Sequence, residues 1–361
     1  MLTSKDAFDK NTYEEILRRW DRIAKPLGSL GRFEEMIARI GAVQGTADVD
    51  ISKRAVIMMC ADNGIVEEGI SQSGQEVTRS VAEWMGRGES SVCRLAAVCK
   101  ADTVPVDAGI NMEGSPRGVA ERKVMKGTRN FRKEPAMTED ECMQAINAGI
   151  DTVCECSMEG YRLLAAGEMG IGNTTTSAAL AAALLGLDVD EVTGRGAGLS
   201  DDGLKRKKEI IREALDRYHP DGADVRSPEY AMEMLSAVGG LDIAGMAGVF
   251  IGGAIYRIPV VIDGFISAVA ALVAERLAPG CRSCMLASHC GREPGMKKVL
   301  DELGLEPVID AGLALGEGTG AMMLFPLLDA ALALYRDGLV FDDTEVEQYE
   351  RFETKEGSAA E

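Results

Sequence analysis

From Ala55 onward, short apolar runs alternate with longer stretches of mixed polarity. The runs are AVIMMC (55–60), VPV (104–106), LLAAG (163–167), IPVVI (258–262), CMLA (284–287) and EPVI (306–309). Most lead into an acidic residue with glycine close behind, as in Ala61-Asp62-Asn63-Gly64, Asp107-Ala108-Gly109, Glu168-Met169-Gly170, Asp263-Gly264 and Asp310-Ala311-Gly312. CMLA leads into Ser288-His289 instead. Buried short strands alternating with helical segments predict an α/β protein built on a parallel sheet. The first 50 residues have a different texture. Tyr13 to Trp20 and Gly31 to Val43 carry apolar residues at helical spacing, and Pro26 and Gly28 break the pattern between them. Ala321 to Leu334 reads as an apolar helix with Pro326 near its start. Ile243 to Tyr256 is uncharged but too short for a membrane span, which needs about 20 apolar residues, so it predicts a buried helix.

The strand ends bear on function. In open parallel sheets, ligands bind outside the carboxyl ends of the strands. Asp62, Asp107, Glu168, Asp263 and Asp310 all fall at such ends. They are candidates for a shared cleft, and each is also a candidate N-cap of the helix that follows.

Composition narrows the classes of partner. The chain has 361 residues and a net charge of −19, with 58 acidic against 39 basic side chains. That balance argues against nucleic acid or an anionic membrane as partner. A 46% hydrophobic content argues against global disorder. Residues 341–361 hold eight acids and two bases and are expected to be solvated and partly disordered. The N-terminus lacks an apolar signal core, and nine cysteines without such a signal read as reduced thiols in a cytoplasm.

Three glycine-rich segments are suited to chemistry. Gly167-Glu168-Met169-Gly170-Ile171-Gly172-Asn173-Thr174-Thr175-Thr176 joins a strand to an Ala-rich helix. Such a turn aims backbone N–H groups and the helix dipole at an anion, and its spacing matches neither a Walker A nor a dinucleotide fingerprint. The bland reading is a turn capped by threonine. Thr193-Gly194-Arg195-Gly196-Ala197-Gly198 lets backbone approach a ligand, and Lys205 to Lys208 follows as a source of charge or as a solvated helix face. In Leu315-Gly316-Glu317-Gly318-Thr319-Gly320, glycines leave a carboxylate unobstructed. Leu313, Leu315 and Met322 are expected to desolvate it and raise its pKa, which suits a general base; a surface loop glutamate is the alternative. Gly239 to Gly248 reads as a device for close helix packing.

Cys281, Cys284, His289 and Cys290 offer four soft ligands, but an intervening strand scatters them between faces, so no metal is expected. Cys154 and Cys156 sit on an expected helix. Arg117 to Lys133 holds seven bases and one acid, and reads as a solvated loop or as a greeting surface for an anion.

Taken together, Lys25-Pro26-Leu27-Gly28-Ser29-Leu30-Gly31-Arg32, Ala61-Asp62-Asn63-Gly64, Glu76-Val77-Thr78, Glu168 to Thr175, Gly239 to Gly248, Ile262-Asp263-Gly264-Phe265, Ser288-His289-Cys290 and Glu317-Gly318-Thr319-Gly320 resemble the nicotinate-nucleotide–dimethylbenzimidazole phosphoribosyltransferases over nearly the whole chain. The resemblance implies a three-layer α/β fold with a Rossmann-like parallel sheet in a large domain, residues 51–320. It implies a small helical domain made from residues 1–50 and 321–361. It also implies a cytoplasmic homodimer that acts on small-molecule substrates without metal or organic cofactor. The implied reaction moves the phosphoribosyl group of nicotinate mononucleotide to a benzimidazole nitrogen. Glu317 would be the base and Glu168 a second acid supporting positive charge on the ribose. Gly170, Asn173, Thr174, Thr175, Gly196 and Lys207 would hold the phosphate, and Ser73, Met169 and Leu315 would line the base pocket. Asn63 stands where the family usually has His, and Val81 where some relatives have Gln, so the identity of the accepted base stays open. A ribosyl hydrolase or phosphorylase on the same fold and a non-catalytic partner subunit are the other readings.

Overall fold

All eight residues of strand β1 (Arg54–Ala61) are buried because the strand has an apolar layer on each side. Successive side chains of a strand point to opposite faces. Ala55, Ile57, Met59 and Ala61 accordingly enter one core, while Val56, Met58 and Cys60 enter the other. The computed structural model describes residues 7–219 and 222–351.

The remaining strands are β2 (Asp102–Gly109), β3 (Ala120–Glu121), β4 (Leu163–Met169), β5 (Val260–Ile262) and β6 (Met285–Ala287). Their order is β3-β2-β1-β4-β5-β6, and every pairing is parallel. The chain builds outward from β1 first to one side and then to the other. The topological switch point lies between β1 and β4, and ligands of such sheets bind outside the carboxyl ends of the strands at that point.

Helices Glu139–Met158, Asn173–Leu185, Pro228–Val238, Leu241–Tyr256 and Phe265–Leu277 contribute to the first core. Helices Lys10–Arg22, Arg32–Gln44, Glu76–Gly86, Ser91–Val98 and Thr319–Asp337 contribute to the second. The result is a three-layer α/β/α fold: the parallel sheet is as the apolar runs predict, and the three layers are as the family resemblance implies. The glycines of helix Leu241–Tyr256 pack as expected. A Cβ on Gly248 would lie 1.9 Å from the Ile146 carbonyl oxygen, and one on Gly149 would lie 2.0 Å from that of Gly245, so helices Glu139–Met158 and Leu241–Tyr256 touch backbone to backbone.

The two ends of the chain meet. The Trp20 and Tyr335 rings meet in a tilted contact with centroids 5.1 Å apart, and the Ala24 N–H donates to the Leu339 carbonyl at 2.7 Å. Pro326 lies inside helix Thr319–Asp337 rather than near its start. A proline cannot donate to the carbonyl four residues back, and the Cys99 thiol takes that Met322 carbonyl instead, at 3.1 Å. Within the acidic tail, Phe341 is buried, Asp342 pairs with Arg22 and Arg351 with Asp21, so residues 341–351 are mostly exposed but tethered. Residues 352–361 of that tail lie outside the described residues.

Two strand expectations change. Residues 306–309 form no strand; Ile309 makes one parallel bridge to His289, because Pro307 removes an N–H that a ladder needs. Strand β3 is two exposed residues long and has no apolar signature. None of the five strand-end carboxylates caps the helix after its own strand. Asp62 accepts the Asn111 N–H at 2.8 Å. Asp107 takes the Ile110 N–H, the Ser115 hydroxyl and Lys123. Asp310 is exposed.

No helix among the described residues is long and apolar enough to cross a membrane.

Candidate active site

A cleft of about 310 Å³ opens at the carboxyl ends of β4 and β5. Glu168 enters it from the penultimate position of β4. Its carboxylate accepts the Asn173 side-chain amide at 2.5 Å, and the same nitrogen donates to Asp242 at 3.0 Å. Asn173 is the first residue of helix Asn173–Leu185, and Asp242 stands in the first turn of Leu241–Tyr256. Two buried carboxylates therefore share one amide. Burial, then the neighbouring Asp242, pushes Glu168 up to about 8, against the pull of the Asn173 bond. Burial likewise pushes Asp242 up to about 6, opposed by the Asn173 bond and the Ile243 N–H.

Glu317 comes to the same place through backbone contact. A Cβ on Gly167 would lie 2.5 Å from the Glu317 carbonyl oxygen, and one on Gly316 would lie 2.6 Å from the Glu168 carboxylate. The glycine turn thus rests directly on the end of β4. Glu317 has φ 61, a left-handed conformation that costs a non-glycine residue about 1–3 kcal/mol. Its carboxylate accepts the Val92 N–H at 3.3 Å, at the start of helix Ser91–Val98. Burial raises its pKa, opposed by the Val92 N–H and the Ser90 hydroxyl. Leu315 does not supply that burial, since it is 59% exposed, and Met322 turns into the core beneath. The expected proton affinity is present, but its source is the packing of the turn against β4 and helix Ser91–Val98.

Beside the carboxylates lies the start of helix Asn173–Leu185. Gly170 and Thr174 line the cleft. Lys207 is fully buried, and its ammonium donates to the Thr174 hydroxyl at 2.9 Å and to the Gly194 carbonyl at 3.2 Å. Desolvation lowers it to about 8, opposed by Glu293, so it is mostly charged at pH 7. A Cβ on Gly196 would lie 2.6 Å from the Thr174 hydroxyl. A helix N-terminus, a hydroxyl, a glycine backbone and a buried cation converge, which is an arrangement for a phosphate-sized anion.

With that geometry in hand, similarity to known proteins becomes decisive. A family model described as phosphoribosyltransferase matches residues 6–346. The nicotinate-nucleotide–dimethylbenzimidazole phosphoribosyltransferase of Acetivibrio thermocellus is 45% identical, over 94% of this chain and 95% of its own length. The enzyme of the same name from Ruminiclostridium cellulolyticum is 43% identical, over 95% of this chain and 96% of its own. The crystal structure of CobT from Thermus thermophilus superposes with a TM-score of 0.87 at 39% identity, covering 94% of this chain and all of that one. The chain belongs to the nicotinate-nucleotide–dimethylbenzimidazole phosphoribosyltransferase family.

The cleft of this phosphoribosyltransferase gathers most of the residues singled out in the sequence. Glu168, Met169, Gly170, Asn173, Thr174, Gly196, Leu315 and Glu317 line it, and Lys207 reaches it through Thr174. Val81 is also on its wall. Ser73 is not. It lies in the loop before helix Glu76–Gly86, where its neighbours Ser71 and Gln72 line an adjoining hollow beside Gly172. Thr175 is turned away as well; its hydroxyl is buried without a partner, and its N–H is used by the Gly172 carbonyl. Asn63 is buried against the cleft floor, its amide toward the Ile171 carbonyl at 3.4 Å.

Asp242 and His289 have no role in the cleft that sequence reasoning assigns, whereas Asp263 is there as its strand-end position suggests. Asp242 is the lone acid at the head of an apolar, glycine-rich helix, and that isolation was a usable signal. Asp263 and His289 belong to the cleft, and burial lowers the pKa of the latter. The cysteine cluster is dispersed. Cys281 and Cys284 lie buried before β6, whereas His289 and Cys290 follow it. Among the described residues, no group of three or more His, Cys, Asp or Glu side chains is placed to hold a metal. The basic island does not line the cleft; it is a surface loop in which Arg117, Lys126 and Lys133 are exposed and most bases are ion-paired. Arg122, Lys123, Lys126, Arg129, Arg132 and Lys133 are ion-paired to Glu155, Asp107, Glu113, Glu141, Glu68 with Glu213, and Glu67 respectively.

Proposed function

We propose that the protein transfers the phosphoribosyl group of nicotinate mononucleotide to dimethylbenzimidazole or a related lower-ligand base, giving an alpha-ribazole phosphate and nicotinate in cobalamin biosynthesis. The stacking of the Glu317 turn on Glu168, beside a cationic helix N-terminus, is the observation that carries this reading. The phosphate would rest on the start of helix Asn173–Leu185, near Gly170, Asn173, Thr174 and Gly196, with Lys207 beneath. Met169, Leu315 and Val81 would flank the base. One ring nitrogen attacks the anomeric carbon, and the bond to the pyridinium nitrogen breaks with its electron pair, so nicotinate leaves and the configuration inverts. Glu317 takes the proton from the other ring nitrogen. Glu168 supports positive charge at the ribose; a cation beside it lowers its pKa and returns it to the carboxylate form.

The test is a product assay with nicotinate mononucleotide and a panel of dimethylbenzimidazole, adenine and p-cresol. The expected result is a ribosylated benzimidazole and stoichiometric nicotinate. Nicotinate released equally without any base would instead identify a hydrolase.

We further propose a cytoplasmic homodimer. Free thiols at all nine cysteines suit a reducing compartment. Met323, Leu327 and Leu334 are exposed along one face of helix Thr319–Asp337, an apolar stripe that a second copy would cover. Sedimentation velocity is expected to report a dimer for the wild type and a monomer for Met323→Glu/Leu327→Glu.

A further inference from the structure

We propose that Asp263 positions the Glu317 carboxylate by closing, from the neighbouring strand, the N-terminus of the helix that follows Glu317. The inference rests on the reading of Glu317 as the base.

Asp263 follows β5 directly and is buried. One of its carboxylate oxygens accepts the N–H groups of Gly320 at 2.7 Å and Ala321 at 3.1 Å, and the other accepts that of Gly318 at 3.1 Å. The first four N–H groups of a helix have no partner within it. In helix Thr319–Asp337 the fourth, that of Thr319, goes to the Gly316 carbonyl at 3.0 Å. The set is therefore complete, and three of its four bonds end on one side chain.

A helix usually receives its cap from its own N-cap residue. Here that residue is Gly318, which has no side chain to offer and a φ of 93. Supplying the cap from β5 ties the glycine turn to the sheet instead of leaving it to fray. Glu317 immediately precedes the tied peptide and is held at φ 61. Such a conformation persists only where its surroundings over-determine it, and the Gly318 bond to Asp263 is one of those constraints. The Gly167 contact and the Val92 bond to the carboxylate are the others. From the far side, a Cβ on Gly320 would meet His289 at 2.1 Å, so the turn is also confined from above. The Ser288 hydroxyl, 2.7 Å from the Ile262 carbonyl and 3.0 Å from that of Asp263, fixes the end of β5 that carries the cap. Asp263 thus acts on catalysis through Glu317, as a positioning residue.

A double-mutant cycle tests this, using kcat and KM for nicotinate mononucleotide with dimethylbenzimidazole at saturation. Asp263→Ala is expected to lower kcat about thirty-fold, because misplacement of a catalytic group by a fraction of an ångström is costly. KM is expected to stay within about threefold, since both Asp263 carboxylate oxygens are taken up by backbone N–H groups. Asp263→Asn keeps an acceptor oxygen and should recover to within about fivefold of wild type. In the Glu317→Ala background, Asp263→Ala should change kcat by less than about twofold, because residues acting as a unit are not additive. An equal thirty-fold loss in both backgrounds overturns the proposal, as does a rise in KM at unchanged kcat. If Asp263→Ala does not fold, Asp263→Asn is carried through the same cycle, and an equal loss in the two backgrounds again overturns it. Wild-type protein that ribosylates no base, or Glu317→Ala at near wild-type rates, overturns the underlying reading instead, and both controls are read before any Asp263 variant is interpreted.

Discussion

Replacing Glu317 with alanine is expected to lower turnover by roughly 10²–10⁴-fold, the usual worth of a positioned general base, while nicotinate mononucleotide continues to bind. The separation follows from the layout of the cleft. The elements suited to phosphate lie at the start of helix Asn173–Leu185 and at Lys207, whereas Glu317 is delivered by the turn before helix Thr319–Asp337. Steady-state kcat together with calorimetric titration of nicotinate mononucleotide checks both halves of the statement. A near wild-type kcat would remove Glu317 from the mechanism. Glu317→Gln retains an acceptor for the Val92 N–H and should preserve the turn, so a comparable loss in that variant assigns the effect to the missing proton acceptor rather than to collapse of the loop.

Glu168→Gln is expected to lower kcat by about 10²-fold, in keeping with loss of a charge aimed at a developing cation, and to change the pH profile. In the free enzyme Glu168 is pushed up to about 8 and Asp242 to about 6, so the floor of the cleft holds a proton at neutral pH. A profile of kcat/KM reports groups of the free enzyme. Wild-type kcat/KM should therefore rise with pH and level off above about 8, a limb that belongs to the carboxylate cluster as a unit. Glu168→Gln should abolish it; persistence of the limb would assign it elsewhere. Stability shifts the opposite way. Between the ordinary value of 4.5 and about 8, folded Glu168 binds a proton that the unfolded chain has released, so stability falls as pH rises through this window. Wild-type Tm should decline from pH 5 to pH 8 more steeply than that of the glutamine variant, as measured by thermal melts.

The sheet was legible because β1, β2, β4, β5 and β6 are apolar runs bounded by turns. β3 was not, since an edge pairing of Ala120 and Glu121 needs no apolar side chain. Glu317, Glu168 and the Gly170–Thr174 turn stood out because glycines around a polar residue are wasteful as packing. Lys207 was distinguished from its basic neighbours by the family resemblance, whereas only the fold shows that Arg206 and Lys208 leave for Glu68 and Asp190. Thr175 and Ser73 illustrate the limit of adjacency. One helical position rotates a side chain by about 100°, enough to move Thr175 behind the helix that Thr174 fronts. The partners of Asp242 and Asp263 are set by contacts across 69 and 55 residues of sequence, which no local pattern encodes.

Helix Thr319–Asp337 carries the Glu317 turn at one end and meets the N-terminal helices at the other, covering the side of the sheet that holds Val56, Met58 and Cys60. Synthesis proceeds from the N-terminus, so all six strands leave the ribosome before this helix does. Until it arrives, the apolar face that the N-terminal helices share with it is only partly covered, and Asp263 has no helix end to cap. Maturation of the cleft is then a late docking event that closes contacts spanning some three hundred residues, such as that between Ile23 and Val340. Contacts of that range form slowly and leave collapsed intermediates open to aggregation. The nascent chain is in this sense most open to aggregation just before helix Thr319–Asp337 docks and completes the cleft.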